Sequence, residues 1–373
     1  MFVADLETPA VVVDLDVMEQ NLSRMAEYCR SHNLQLRPHT KSHKIAELAK
    51  RQLAHGAHGI TVAKIGEAEV MLDAGITDML IAYPIVGTGK AEKLAELATR
   101  ANITVSLDSV EVARAISSSV KNRDARVDIL VELDVGFHRC GVADEDAALA
   151  VAREVAELPG LQFKGLMFFP GHLQVPEKER AELRTGVNDF LERALSKLDH
   201  AGLDAQVVSG GSTPTAREGH LFFGVNEIRP GMYIFNDHNM MGIGIAALED
   251  CALSVITTVV STSVPGRAII DAGSKSLSSD RHLAGDGKGF GLVKTDPLAD
   301  RLKTDSAAEL EQLSEEHGHL NISSSTREYR VGERLAIIPN HVCSTVNMHN
   351  QIYGVRGERV ETVWEVSARG KVR

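Results

Sequence analysis

The octapeptide Arg37-Pro38-His39-Thr40-Lys41-Ser42-His43-Lys44 sets a lysine among cations where a short apolar run, residues 34–36, gives way to a helical pattern. Ile45, Leu48, Ala49 and Leu53 recur at helical spacing, and Gly56 ends them. A lysine at the carboxyl end of a strand, close to other cations, gives up its proton more readily and can add to a carbonyl carbon. That is the chemistry of a Schiff-base lysine. Read by itself, the same octapeptide is more readily a basic turn facing water, because charged residues collect at strand ends in any α/β protein; the rest of the chain reverses that preference. His39 and His43 flank the lysine and either tune it or pack at the strand end.

The wider chain supplies the setting. Seven further apolar runs, at 59–62, 78–82, 104–107, 127–133, 165–169, 206–209 and 227–229, alternate with helical patterns such as 91–98, 147–156 and 187–198. Eight such units predict a closed (β/α)8 barrel of the TIM type. An open dinucleotide-binding sheet would need a glycine-rich turn after its first strand, where Arg-Pro-His-Thr-Lys stands instead. In a barrel, chemistry sits at the carboxyl ends of the strands. Lys41 follows the first strand, Arg139 the fifth, His172 the sixth, Gly210-Gly211-Ser212-Thr213 the seventh and Arg229-Pro230-Gly231-Met232-Tyr233 the eighth. Loops after the last two strands commonly hold a phosphate, since glycines let backbone N–H groups approach the anion and a hydroxyl adds a donor. A lysine nucleophile and a phosphate cradle at one barrel mouth imply pyridoxal 5'-phosphate.

After about residue 236 the texture changes to strands without helices, at 252–262, 267–270 and 334–339, with a polar stretch at 278–288 and a hairpin at 352–366 around Gly357. The expected fold class is therefore α/β, a barrel over 15–240 joined to a mainly β second domain made from 1–14 and 241–373. His341-Val342-Cys343 follows one of these strands. If that segment is extended, the two side chains point the same way and can hold one divalent ion, and the thiolate favours zinc. A buried cysteine is also often only a small hydrophobe.

The chain of 373 residues is 43% hydrophobic with a net charge of −11, which disfavours a nucleic-acid or anionic-membrane surface. Cys29, Cys140, Cys251 and Cys343 are scattered, as in a reducing compartment, and no long apolar run marks a membrane span or a secretory leader. A cytoplasmic location and a small-molecule substrate are expected.

These motifs together resemble the fold-type III pyridoxal-phosphate enzymes typified by alanine racemase, and among them the D-threonine aldolase and D-serine dehydratase group. The resemblance runs from Glu7-Thr8-Pro9 through the Lys41 octapeptide, Arg139-Cys140-Gly141 and Gly210-Gly211-Ser212-Thr213 to Trp364-Glu365-Val366-Ser367-Ala368-Arg369-Gly370. It implies that Lys41 forms the Schiff base with the cofactor and that Arg139 lies near the cofactor's phenolic oxygen. Gly211, Ser212, Gly231 and Met232 would hold its phosphate with Tyr233 nearby, and Arg229 would face the pyridine nitrogen. It further implies a divalent ion, zinc with manganese or magnesium as alternatives, held by the His341/Cys343 pair and contacting the substrate's β-hydroxyl. The cysteine form of that pair, Gly211-Ser212-Thr213-Pro214-Thr215 and Asn340-His341 lean toward the dehydratases.

The function implied is a lyase on D-β-hydroxy-α-amino acids, working by β-elimination or by retro-aldol cleavage, in a homodimer. Lys41 is the natural Cα base for elimination. For the retro-aldol route His172 is a candidate base at the β-oxygen, although its loop departs from the family pattern; a loop histidine bonded to backbone is the alternative. A racemase of the same fold would need a tyrosine from the β domain, where Tyr329 and Tyr353 stand in no telling motif. A non-catalytic pyridoxal-phosphate carrier would not need the residues after 236. His317 and His349 are expected at the surface.

Overall fold

The computed structural model describes residues 1–283, 289–296 and 302–373, so the end of the polar stretch at 284–288 lies outside the described residues. The chain forms two compact units, one of Arg24–Gly231 with Gly370–Arg373, the other of Met1–Ser23 with Met232–Arg369.

Strand β1 (Ala10–Asp14) and helix α1 (Leu15–Ser31) precede eight parallel strands. These are β2 (Gln35–Leu36), β3 (Ile60–Val62), β4 (Asp78–Ile81), β5 (Asn102–Leu107), β6 (Val127–Leu133), β7 (Leu161–Phe168), β8 (Val207–Gly210) and β9 (Glu227–Ile228). Helices α2 (Ala46–Ala54), α3 (Ile65–Asp73), α4 (Thr88–Ala98), α5 (Val110–Val120), α6 (Glu145–Glu157) and α7 (Glu177–His200) follow β2 to β7 in turn. The strand order β2-β9-β8-β7-β6-β5-β4-β3 has β2 and β3 at its ends, and a parallel bridge between His39 and Thr61 joins them. The Thr61 N–H donates to the Pro38 carbonyl at 2.8 Å, which closes the sheet into the expected barrel.

Period-two alternation decides what each strand residue does. On β6, Val127, Ile129, Val131 and Leu133 join the large core under the helices, whereas Leu130 packs with Leu80 and Met167 in a separate small cluster. By the same alternation Glu132 shares the Leu130 face, and Ser209 and Glu227 lie on the corresponding faces of β8 and β9. The barrel interior is thus apolar in one layer and hydrogen-bonded in the next.

The second unit is built on a nine-stranded sheet. After α8 (His238–Gly242) come β10 (Leu253–Ser261), β11 (Arg267–Ile270), α9 (Ser274–Leu277), β12 (Gly291–Lys294), β13 (Glu309–Leu313), β14 (Gly318–Asn321) and β15 (Arg334–Pro339). α10 (Val342–Met348), β16 (Gln351–Arg356) and β17 (Arg359–Glu365) complete it. β1 lies between β10 and β16, antiparallel to the first and parallel to the second. Strands at 252–262, 267–270, 334–339 and the terminal hairpin agree with the pattern read from sequence. β12, β13 and β14 do not appear in that reading, because β13 (ELEQL) and β14 (GHLN) are short and mostly polar.

One expectation is corrected. The segment after Pro339 is not extended: His341 is the N-cap of α10, and Cys343 lies in that helix's first turn. Position 341 keeps extended dihedrals while 342 onward is helical, so the pair meets through a helix start and not along a strand face.

Gly165 on β7 has φ +144°, and a Cβ there would run into the Val207 carbonyl oxygen of β8. Gly165→Ala is therefore expected to lower unfolding stability by about 3 kcal/mol or more, from backbone strain plus overpacking. An unchanged urea midpoint would show that β7 and β8 can part at this point without cost.

Candidate active site

Pro38 and His39 leave β2 extended, and Thr40–Ser42 make a single 3-10 turn that carries Lys41. The turn is tied down from several sides. Thr40 Oγ1 donates to the Thr61 carbonyl at 3.0 Å, and the His39 N–H donates to the Pro230 carbonyl at 3.0 Å. A Cβ on Gly231 would lie 2.5 Å from Ser42 Oγ, so only glycine lets the loop after β9 come this near the lysine turn.

The two lysines of the octapeptide differ sharply. Lys44 Nζ pairs with buried Glu67 at 3.0 Å and is nearly covered, while Lys41 is exposed, with its Nζ 5.9 Å from the centre of the Phe169 ring. Arg139 places its guanidinium carbon 4.4 Å from the same ring, so lysine and arginine converge on one aromatic side chain at the carboxyl ends of the strands. The loop bearing Arg139 is shaped by carboxylates: Asp134 accepts from the Gly136 and His138 N–H groups, and Asp108 accepts from Gly141 N at 2.9 Å. Gly141 has φ +113°, and a side chain there would strike the Asp134 backbone nitrogen. This explains the glycine of Arg139-Cys140-Gly141.

The glycine loop follows β8. A Cβ on Gly210 would strike the Phe168 ring, and Gly211 takes φ +86°. Ser212 N–H donates to Thr215 Oγ1 at 3.0 Å, and Ser212 caps the 3-10 helix Thr213–Leu221. Thr213 Oγ1 is buried with no hydrogen-bond partner among the described residues. A buried hydroxyl without a partner is costly unless something else supplies one, and an anion seated on this loop would do so. Residues 210–213 and Gly231 therefore fit the phosphate of the implied cofactor. Met232 and Tyr233 continue the chain as part of a 3-10 turn in the other unit, with Tyr233 buried.

Below the mouth, Arg229 is 5% exposed. Its Nη1 donates to Ser209 Oγ at 2.7 Å and its Nη2 to the Phe168 carbonyl at 2.8 Å. Ser209 Oγ donates to Glu227 Oε1 at 2.5 Å, Arg37 Nε donates to Glu227 Oε2 at 2.7 Å, and Arg37 also pairs with Asp78. Burial lowers the Arg229 pKa to about 10, opposed by Glu227 and Glu132, so the guanidinium remains charged at neutral pH. Glu132, 3% exposed, has its pKa raised by burial against the pull of Arg139 and Arg229, and lies 4.0 Å from Arg139. Of these interior groups Arg229 was placed at the site from sequence, whereas Glu132 and Glu227 were not. The signal was present: Glu132, Ser209 and Glu227 interrupt apolar strands at the alternate positions that point away from the helices.

The histidines separate by environment. His43 is fully buried, accepts from the Ile45 N–H at Nδ1 and bonds Gln52 through Nε2. Its role is packing, and burial lowers its pKa to about 4. His39 has a buried Nδ1 without a partner among the described residues, and burial with Lys41, Arg229 and Arg139 holds its pKa far below the usual value. His172, in the 3-10 turn Gly171–Leu173 after β7, likewise has an unpartnered buried Nδ1, its ring lies against Gly136, and burial lowers its pKa. His317 is exposed. His349 corrects the surface expectation, because it is half-buried and bonds the Ser276 carbonyl at 3.0 Å.

In the second unit, Asp280 Oδ2 lies 2.6 Å from His341 Nδ1, and the Cys343 sulfur interacts with the same ring. Burial lowers the His341 pKa, but Cys343 and Asp280 outweigh it and raise it to about 11. No group of three or more His, Cys, Asp or Glu suited to a metal occurs among the described residues. A metal here would thus have His341 and Cys343 as its ligands from this chain, an open site of the kind that leaves positions for water or substrate. Tyr329 donates to Asp305, and Tyr353 bonds Gln351. None of the four cysteines is in a disulfide, and no described helix is long and apolar enough to cross a membrane.

A parallel barrel with a lysine at the end of its first strand, a glycine cradle after the seventh and an appended β unit defines an alanine racemase-like enzyme. Residues 13–239 match the alanine racemase N-terminal domain and residues 252–355 the putative serine dehydratase domain. A D-threonine aldolase of Arthrobacter sp is 34% identical over 98% of this chain and 94% of the relative. The crystal structure of D-threonine aldolase from Filomicrobium marinum superposes with a TM-score of 0.91 at 36% identity, covering 100% of this chain and 98% of that one. A cysteine-to-alanine variant of D-threo-3-hydroxyaspartate dehydratase, in the metal-free form, gives 0.89 at 32% identity, covering 98% of both chains. The chain belongs to the D-threonine aldolase and D-serine dehydratase family of alanine racemase-like proteins, and it is a lyase.

Two stability predictions follow from the buried groups. Glu227→Gln leaves Arg37 and Arg229 without their shared carboxylate and is expected to cost about 3–5 kcal/mol in chemical denaturation; a loss below 1 kcal/mol would show that the interior charges find other partners. For His43 the folded pKa, about 4, is below the unfolded value. The unfolded chain therefore binds the proton first, so the contribution is complete above about pH 6.5 and is lost as pH falls toward 4, on the order of 3 kcal/mol. His43→Gln should flatten that limb of the stability profile, and an unchanged slope would place the titration elsewhere.

Proposed function

We propose that this protein is a lyase of D-β-hydroxy-α-amino acids, with Lys41 as the covalent anchor of pyridoxal 5'-phosphate and the His341/Cys343 pair as ligands of a divalent ion, zinc first. The observation that carries the reading is the convergence of Lys41 and Arg139 on Phe169, at the strand ends that also bear the glycine loop with its unpartnered Thr213 hydroxyl. The bound cofactor would withdraw electrons from Cα, and the ion would polarise the substrate's β-hydroxyl.

Residues of this chain then divide the remaining work. Gly210, Gly211, Ser212, Thr213 and Gly231 receive the phosphate, with Met232 and Tyr233 assigned to it by the family pattern. Arg139 would offer positive charge beside the phenolic oxygen, with the Phe169 ring next to both it and Lys41. Arg229 donates without releasing its proton, since its guanidinium is held by Ser209 and the Phe168 carbonyl. The Lys41 amine takes the Cα proton in β-elimination. His172, kept neutral by burial, is able to accept the β-hydroxyl proton in retro-aldol cleavage.

Between these outcomes the cysteine of the pair favours elimination, and one solved relative is a cysteine-to-alanine variant of a dehydratase in its metal-free form. A cytoplasmic homodimer completes the proposal. Incubation with D-threonine and D-serine tests it: keto acid plus ammonia identifies the dehydratase, glycine plus acetaldehyde the aldolase, and L-enantiomer alone a racemase, which would overturn the reading. Lys41→Ala is expected to abolish both turnover and the visible band of the lysine-bound cofactor; a retained band would remove Lys41 from the site.

A further inference from the structure

The loop that precedes residue 284 is fastened to the His341 turn by side chain and by backbone at once. Asp280 Oδ2 meets His341 Nδ1 at 2.6 Å and accepts from Ser344 Oγ at 2.6 Å. Asn340 Nδ2 donates to the Asp280 carbonyl at 3.0 Å and to the Gly289 carbonyl at 2.9 Å, while its Oδ1 bonds His238. From the opposite side the fully buried Asp237 carboxylate accepts the Val342 N–H at 3.1 Å and the Met240 N–H at 2.9 Å, fixing the backbone between the two candidate ligands. One carboxylate thus sets the imidazole and a second sets the peptide that joins it to the thiol.

We propose that Asp280 is the positioning residue of the metal pair, holding His341 in the tautomer and ring orientation that presents Nε2 to the ion, with Ser344 and Asn340 fixing Asp280 in turn. The inference rests on the metal reading given above. A carboxylate on the far nitrogen of a ligating histidine fixes its tautomer and raises its basicity, and removal of such a partner typically lowers metal affinity by about 10- to 100-fold. Asp280 meets the ring at Nδ1, the nitrogen away from Nε2, so it acts on the imidazole and not on the ion.

The test is zinc affinity of the intact protein, read by chelator competition, together with the thiolate-to-cobalt charge-transfer band after cobalt substitution. Asp280→Ala is expected to weaken zinc about 10- to 100-fold and to broaden or shift the cobalt band, while Asp280→Asn, which still accepts from Nδ1–H, recovers part of the affinity. Visible cofactor absorbance and melting temperature report whether the variants fold. Zinc affinity within twofold of wild type in a folded Asp280→Ala protein overturns the inference, and so does an Asp280→Asn variant as weak as Asp280→Ala. His341→Ala and Cys343→Ala separate the two levels: if they retain zinc, the metal reading itself fails, whereas zinc loss in them with none in Asp280→Ala refutes only the role given to Asp280.

Discussion

The barrel depends on keeping charge in its interior without leaving any of it unpaired. Arg37, Glu227, Ser209 and Arg229 form a continuous hydrogen-bonded chain in which each charged group is at most 7% exposed. A desolvated guanidinium costs several kcal/mol unless a carboxylate and good donor geometry offset it. Glu227 does this for two arginines by using its two oxygens separately, Oε2 directly and Oε1 through Ser209. The arrangement leaves Arg229 a buried cation held in place below the carboxyl ends of the strands.

Legibility followed burial and periodicity. All eight barrel strands were visible because each is an apolar run between helical patterns, and the helix after β2 was visible through Ile45, Leu48 and Ala49, all essentially buried. Lys41, Arg139 and the glycine loop could be placed because a barrel assigns chemistry to one end of its strands. Phe169 could not, since an aromatic ending an apolar run looks like core until the side chains facing it are known. The interior network was equally hidden: Arg37 belongs to a motif that reads as surface, yet its guanidinium sits between Glu227 and Asp78.

In the second unit the residues of the candidate metal pair were legible and their conformation was not. Spacing of two fits both an extended segment and a helix start, and nothing local separates the two until Asp237 is seen to accept the Val342 N–H from 105 positions away in sequence. Asp280 carries no local signal at all, because its meaning comes from a loop brought to His341 by tertiary structure. β12 to β14 carry too little signal for a different reason: each is only four or five residues long, and β13 and β14 are mostly polar in sequence.

The placement of β1 bears on how the chain reaches its native state. Each barrel strand pairs with a strand close to it in sequence except where β9 meets β2, but Val12 pairs with Ser254 on one side and with Tyr353 on the other. Contacts across such separations form late, since the loop between the partners must close before they are rewarded. A nascent chain leaving the ribosome can assemble much of the βα array while its amino-terminal segment waits for a partner near residue 353. Until both partners are in place, Val11, Val12 and Val13 form an apolar strand with an open edge, the kind of segment that invites wrong pairing during folding.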